Sequence, residues 1–227
     1  MTSTCSKSTI LWVSAIVVIL IIGSLTALAY TSSTSAIKTS IRTGLESTAG
    51  VMATQINGSE VVLFKAGDEG SPKYLAVVKK LRTLRSMDDQ ILNAYILKVN
   101  PDRSVTFLVD DLYTDDPQGS AKIGELSTAP DSMEIFSALS RPTSSKEPYT
   151  TKYGSFMSAY APIDDSMGDS NGNTKAVLAI DMSATNYTNS IGGKGYFILI
   201  SGLFSMVIAV GLIFWFGSKR GDDGKGE

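Results

Sequence analysis

The chain has 227 residues, a formal net charge of −2 from 20 Lys and Arg against 22 Asp and Glu, and 43% hydrophobic residues. It contains no histidine, which excludes a Ser-His-Asp or Cys-His catalytic device, a histidine-ligated metal and a phosphoaccepting histidine within it. The single cysteine, Cys5, precedes the first apolar run, so the rest has neither disulfide nor thiolate metal site; interspersed charges leave no nucleic-acid footprint.

Two uncharged apolar stretches, Ile10 to Tyr30 and Tyr196 to Gly217, enclose a polar middle. As helices rising about 1.5 Å per residue, each covers roughly 30 Å, the thickness of a bilayer core. Lys7 before the first, and Lys219 and Arg220 after the second, place both ends in the cytoplasm by the positive-inside tendency. Residues 1–9 and 218–227 are then cytoplasmic, 10–30 and 196–217 cross the plasma membrane, and 31–195 form one extracytoplasmic domain. Tyr30 and Tyr196 would mark the outer interface, Trp12 and Trp215 the inner one. A cleaved signal peptide is the competing reading of the first stretch, with Ala27-Leu28-Ala29 as its cleavage site. The run exceeds the usual apolar length of a signal peptide, which favours a retained anchor.

The outer domain opens with Ile37, Ile41, Leu45, Ala49, Met52 and Ile56 on one helical stripe, predicting a long helix out of the membrane that ends near Asn57-Gly58. Part of this stripe could pair with its copy in a homodimer. Ser71-Pro72 start a second helix through Arg85. Strands follow at Ala94–Asn100 and Ser104–Asp110, then a loop from Asp111 to Pro130. A short helix from Asp131, its cap, runs to Leu139 before Pro142. Strands at Tyr149–Tyr153, Ser155–Ile163 and Lys175–Met182 complete the domain, the last two joined by a hairpin over Asp164–Thr174. The fold class is therefore α+β, with a mostly antiparallel sheet. Gly192-Gly-Lys-Gly195 predicts an interruption before the second anchor. Ser201, Ser205 and Ala209, and Gly23 and Ala27, fall at the four-residue spacing that favours helix association in lipid.

The stretch Asn93-Ala-Tyr-Ile-Leu-Lys-Val-Asn-Pro-Asp resembles the entry to the sheet of a Cache domain, the PAS-like extracytoplasmic sensor module of prokaryotic receptor kinases and chemoreceptors. More specific are Tyr149-Thr-Thr-Lys-Tyr-Gly-Ser-Phe-Met-Ser-Ala-Tyr-Ala-Pro-Ile163 and Ala176-Val-Leu-Ala-Ile-Asp-Met-Ser-Ala184, which resemble the last strands of such modules. The resemblance implies a single PAS-like lobe with a five-stranded sheet and a small-molecule ligand. No nucleophile–base pair or metal cluster emerges from the residues, so neither a cofactor nor enzymatic activity is expected. Such receptors continue into an output domain, whereas only Ser218 to Glu227 follow the second apolar run here. A signal would then pass through a cytoplasmic or membrane partner, or through an output domain beyond this sequence.

The resemblance assigns Asp181 to the amino group of a ligand, with Tyr160 beside it as a hydrogen-bond donor. Alternation along the strands puts Phe156, Ser158 and Tyr160 on one face, and Val177, Ala179 and Asp181 on one face. An acid ending so apolar a run is unexpected in a plain core. Tyr95 and Tyr113 are further candidates. The ligand class stays open between amino acid, amine and carboxylate. Plainer roles compete: Asp181 as the cap of the turn towards Ala184, and the tyrosines as ordinary sheet residues. Asp110-Asp111 and Asp115-Asp116 around Tyr113 could attract a divalent cation, though paired loop acids are usually solvated surface. Asp169-Ser-Asn-Gly-Asn173 lacks the glycine and distal glutamate of a calcium loop. Asn57-Gly-Ser59 and Asn186-Tyr-Thr188 match the glycosylation sequon. Two functions stand: a membrane-anchored small-molecule sensor, or an envelope assembly component reusing the domain without a ligand.

Overall fold

The computed structural model describes residues 7–130, 132–164 and 175–222. The cap expected at Asp131, and the acidic run 169–173 with most of the hairpin around it, lie outside the described residues. The chain divides into two compact units, one built from the helical segments up to Lys38 and from Ser190 onward, the other from Thr39 to Asn189.

In the first unit, α1 (Lys7–Ala53) and α5 (Ala184–Asp222) contribute their apolar segments, both long and apolar enough to cross a membrane. They pack side by side in opposite directions. Trp12 meets Phe214 edge-on at 5.1 Å, and a Cβ placed on Gly195 would come within 2.8 Å of the Tyr30 ring. Gly202 faces Thr26 and Gly217 faces Leu11 just as closely. On α5 the glycines packed against α1 are thus Gly195, Gly202 and Gly217, while Ser201 and Ser205 of the expected association stripe point elsewhere. Those serines are exposed and return their hydroxyls to their own helix, at Ile198 O and Ser201 O, both 2.9 Å. The interruption expected at Gly192–Gly195 is absent, and α5 runs straight through it. A glycine costs a helix about 1 kcal/mol, and the close approach to Tyr30 is a packing gain that only a residue without Cβ permits.

The second unit is the α+β domain. Here α1 ends at Ala53 rather than Asn57, because Asn57 caps a separate turn, α2 (Gly58–Val61), with its side chain accepting from Glu60 N. Helix α3 (Pro72–Arg85) begins as expected, with Ser71 Oγ accepting from Tyr74 N. Strands β1 (Ile91–Val99) and β2 (Val105–Asp110) form a hairpin whose turn carries Arg103 at φ 66°. A 3-10 turn, Asp111–Thr114, opens the long loop, and α4 (Ser132–Ser137) closes it. Strands β3 (Thr143–Ser144), β4 (Tyr149–Thr151), β5 (Gly154–Pro162) and β6 (Lys175–Ser183) complete the sheet.

The sheet order is β2-β1-β6-β5-β3, with β4 also on β5, and every pairing is antiparallel. Because β3 and β4 pair with different halves of β5, they are two pieces of one outer column, and the sheet is five columns wide as expected. The break falls at Ser145. Its backbone N donates to Ser158 O at 2.8 Å, and its hydroxyl donates to the same oxygen and accepts from Ser158 N, both at 2.9 Å, so the side chain supplies the acceptor that Ser158 N misses in the ladder. This satisfies buried groups that a broken strand would otherwise strand without partners.

Alternation splits the core into two layers. One face buries Ala94, Ile96, Met157, Ala159, Leu178 and Ile180; α3 packs against β1 and β2 and buries Tyr74, Val77, Val78 and Leu81. The other face buries Leu97, Phe107, Tyr160, Val177 and Ala179 with Ile135 and Ala138 from the α4 region. The candidate site opens at the end of this second layer.

Candidate functional site

Register brings the expected residues together. Asp181 on β6 lies directly opposite Ser158 on β5 and Asn93 on β1, and Ala179 opposite Tyr160 and Tyr95. Side chains of one register pair share a face, so Asn93, Ser158 and Asp181 converge. Asp181 is 3% exposed and accepts hydrogen bonds from Ser158 Oγ at 2.5 Å, Tyr95 OH at 3.1 Å and Asn93 Nδ2 at 3.4 Å. A hydroxyl has one proton, and that of Ser158 goes to the acid. The contact at 2.7 Å from Tyr149 OH to Ser158 Oγ is therefore donated by Tyr149, and the one at 3.0 Å between Tyr160 and Tyr149 by Tyr160. Three hydroxyls in series thus point their protons towards one carboxylate. Charge-assisted bonds of this kind are short and strong away from water.

Asp181 is not the cap of α5. Ser183 takes that role, its Oγ accepting from Thr185 N at 3.2 Å. Tyr160 is fully buried and is joined to the acid through Tyr149 and Ser158. Tyr113 stands apart from this group: it sits on the 3-10 turn, edge-on to Tyr74 at 5.3 Å.

Above this network lies a cavity of about 520 Å³, large enough for a small metabolite. Asn93, Tyr95 and Asp181 form its floor, with Tyr149 and Phe156 beside them. Phe107 from β2 and Tyr153 from the β4–β5 turn form an aromatic wall, their rings 6.0 Å apart. Ser127, Thr128 and Ala129 contribute from the long loop. That loop is held to β2 by Phe107 N donating to Glu125 O and Ser127 N to Val105 O, at 2.9 and 2.8 Å.

Two cations reach the cavity, each already held. Arg85, at the end of α3, pairs through Nε with Asp111, which is fully buried, and donates to Leu92 O at 3.0 Å. Burial pushes the Asp111 carboxyl up to about 6, against the opposing hydrogen bond from Ala94 N and the charge of Arg85. Lys152 bonds Glu125 at 2.8 Å, and the Tyr153 hydroxyl donates to the same carboxylate. Burial and the Glu125 carboxylate lift the Tyr153 phenol to about 12; although burial would raise Glu125, Lys152 and Tyr153 hold it below its ordinary value.

The loop acids have structural duties. Asp110 accepts from Leu112 N and Ala121 N at 2.9 and 2.8 Å, Asp115 pairs with Arg82 at 2.8 Å, and Asp116 accepts from Gly119 N at 2.9 Å. Among the described residues, no group of His, Cys, Asp and Glu is arranged to hold a metal ion. Tyr149, Asn93, Arg85, Lys152 and Tyr153 escaped the sequence analysis as site residues. Tyr149 and Asn93 open two of the three stretches that carry the family resemblance, a signal that could have found them. Arg85 and Lys152 arrive through long-range pairing, which a linear sequence does not display.

The chain is similar in fold to solved sensor domains. The sensor domain of Escherichia coli DcuS matches at 13% identity with a TM-score of 0.46, covering 69% of this chain and 98% of that one. The sensory domain of the Campylobacter jejuni chemoreceptor Tlp3, solved with isoleucine bound, matches at 14% identity and a TM-score of 0.39, covering 76% and 65%. The extracellular domain of the putative histidine kinase mmHK1S-Z2 matches at 12% identity and a TM-score of 0.39, covering 72% and 61%. The chain thus spans nearly all of the first and less than two thirds of the other two. No family model matches the sequence, and no curated protein does.

Proposed function

We propose that residues 31–195 form a single extracytoplasmic sensing domain for a small molecule, anchored in the plasma membrane through 10–30 and 196–217. The carrying observation is the cavity of about 520 Å³ with the Asp181 carboxylate in its floor, held by Ser158 and Tyr95. A carboxylate kept at the base of an aromatic-walled pocket suits a ligand with a positively charged nitrogen. Asp181 and Tyr95 contact the ligand, while Ser158 and Tyr160 act from beneath through the hydroxyl series. The arrangement is one of recognition rather than catalysis, since Ser158 is fully buried and spends its proton on Asp181. Occupancy would be passed on through a partner or through a domain outside this sequence.

The competing envelope-assembly role calls for a pocket filled by the domain's own side chains, and the open cavity weighs against it. A thermal-shift screen of the full chain against amino acids, amines and carboxylates tests the proposal. A ligand that raises the melting temperature, and whose effect vanishes in Asp181→Asn, supports it. A screen without any shift, with probes small enough for the cavity, overturns it. Topology is tested by protease treatment of intact cells: cleavage between residues 60 and 180 is expected, and protection there would reverse the orientation.

A further inference from the structure

The cavity wall is richer in rings and acids than in uncommitted cations. Its rings are Tyr95, Phe107, Tyr149, Tyr153 and Phe156, with Tyr95 and Phe107 in contact at 5.4 Å. Aromatic faces attract a cation through the negative side of their quadrupole, most strongly where water is excluded.

The charges point the same way. Each basic group of the wall is matched by an acid just behind it, Arg85 by Asp111 and Lys152 by Glu125. The wall carries two acids besides these, Asp116 and Asp181, so the local balance is negative. A ligand carboxylate would have to compete with fully buried Asp111 for Arg85, or with Glu125 for the more exposed Lys152. Separating Arg85 from Asp111 leaves a buried charge uncompensated, which is strongly unfavourable, and the charge of Lys152 is already matched by Glu125. An ammonium group meets no such obstacle.

From these observations we infer that the cavity selects an organic amine, a primary or methylated ammonium on a compact apolar body, over an α-amino acid or a carboxylate. The inference rests on the proposed small-molecule role and narrows its ligand class. The ammonium lies between Asp181 and the ring of Tyr95, and the apolar body runs along Phe107 and Phe156.

Three probes sharing one carbon skeleton test it: isoamylamine, leucine and isocaproate, titrated calorimetrically into the full chain in detergent micelles. Isoamylamine is expected to bind at least about tenfold more tightly than leucine, with no heat from isocaproate. Phe156→Leu keeps apolar bulk but removes a ring, and should weaken isoamylamine about three- to tenfold. This variant leaves the hydroxyl series intact, so it remains informative if Asp181→Asn does not fold. Leucine binding as tightly as isoamylamine, or isocaproate binding alone, overturns the amine preference while leaving a small-molecule site in place. Silence from all three overturns it too, and the broader sensing role is then decided by its own screen.

Discussion

Asp181 and Ser158 face each other across β6 and β5, and the 2.5 Å bond between them is the hinge of the site. It orients two further hydroxyls, Tyr149 and Tyr160, neither adjacent in sequence to the acid. Ser158→Ala removes a buried donor to a carboxylate and leaves Tyr149 without its acceptor at that position. A loss of about 1–3 kcal/mol in stability is expected, measured by urea unfolding, together with weaker ligand binding. Unchanged stability would mean that the hydroxyl series does not carry the load assigned to it.

Arg85 and Asp111 tie α3 to the 3-10 turn beside the cavity. Arg85→Ala strands a buried carboxylate and should cost about 3–5 kcal/mol. Adding Asp111→Asn in the same chain should recover part of that loss. Additive effects in this double-mutant cycle would show that the two side chains are not coupled.

The same acid makes stability depend on pH. Folded Asp111 titrates at about 6, above its ordinary value of 3.8, so between these limits the native state binds more protons than the unfolded chain. Its contribution is therefore full below the unfolded value and is lost as pH rises through the folded one, by up to about 3 kcal/mol. Urea unfolding over roughly pH 4 to 7, the window of that titration, should show Asp111→Asn losing less stability than the parent chain over the rise. Parallel profiles would exclude Asp111 as the titrating group.

Gly154 lies at φ 139°, and a Cβ there would come within 2.7 Å of the Phe156 ring. Gly154→Ala should cost about 1–3 kcal/mol and push Phe156 into the cavity it lines. Ligand affinity is expected to fall together with melting temperature. A fully stable Gly154→Ala variant would mean that the turn relaxes freely.

Ser71 caps α3 through Tyr74 N. Ser71→Ala should cost about 1 kcal/mol, and Ser71→Asp much less, both read by thermal melting. Equal losses in the two variants would assign the effect to something other than the cap.

Ser71-Pro72 was also the clearest local signal in the sequence. The start of α3 follows from a side-chain acceptor and a residue without an N–H, both acting within one turn. Asp181 was legible because an acid after Ala176–Ile180 conflicts with the burial its neighbours need. Its strand neighbours were legible through alternation, which put Ser158 and Tyr160 on one face. The helix through Gly192–Gly195 was misread because propensity is local, whereas the approach of Gly195 to Tyr30 is tertiary. Lys152 and Tyr153 were missed for the same reason: their partner Glu125 lies in a different part of the chain, in the loop over β2. The break between β3 and β4 could not be anticipated either, since it relies on Ser145 reaching the backbone of Ser158.

That break governs how the domain behaves in company. An unbroken outer strand would present a row of open amides and carbonyls, a template on which a neighbouring chain could add itself. Here one margin of the sheet is cut into β3 and β4, and along the other a bridge from Thr106 to Leu126 lays the loop against β2. Neither rim offers a long run for recruitment, so crowding many copies at a membrane surface need not seed fibrils.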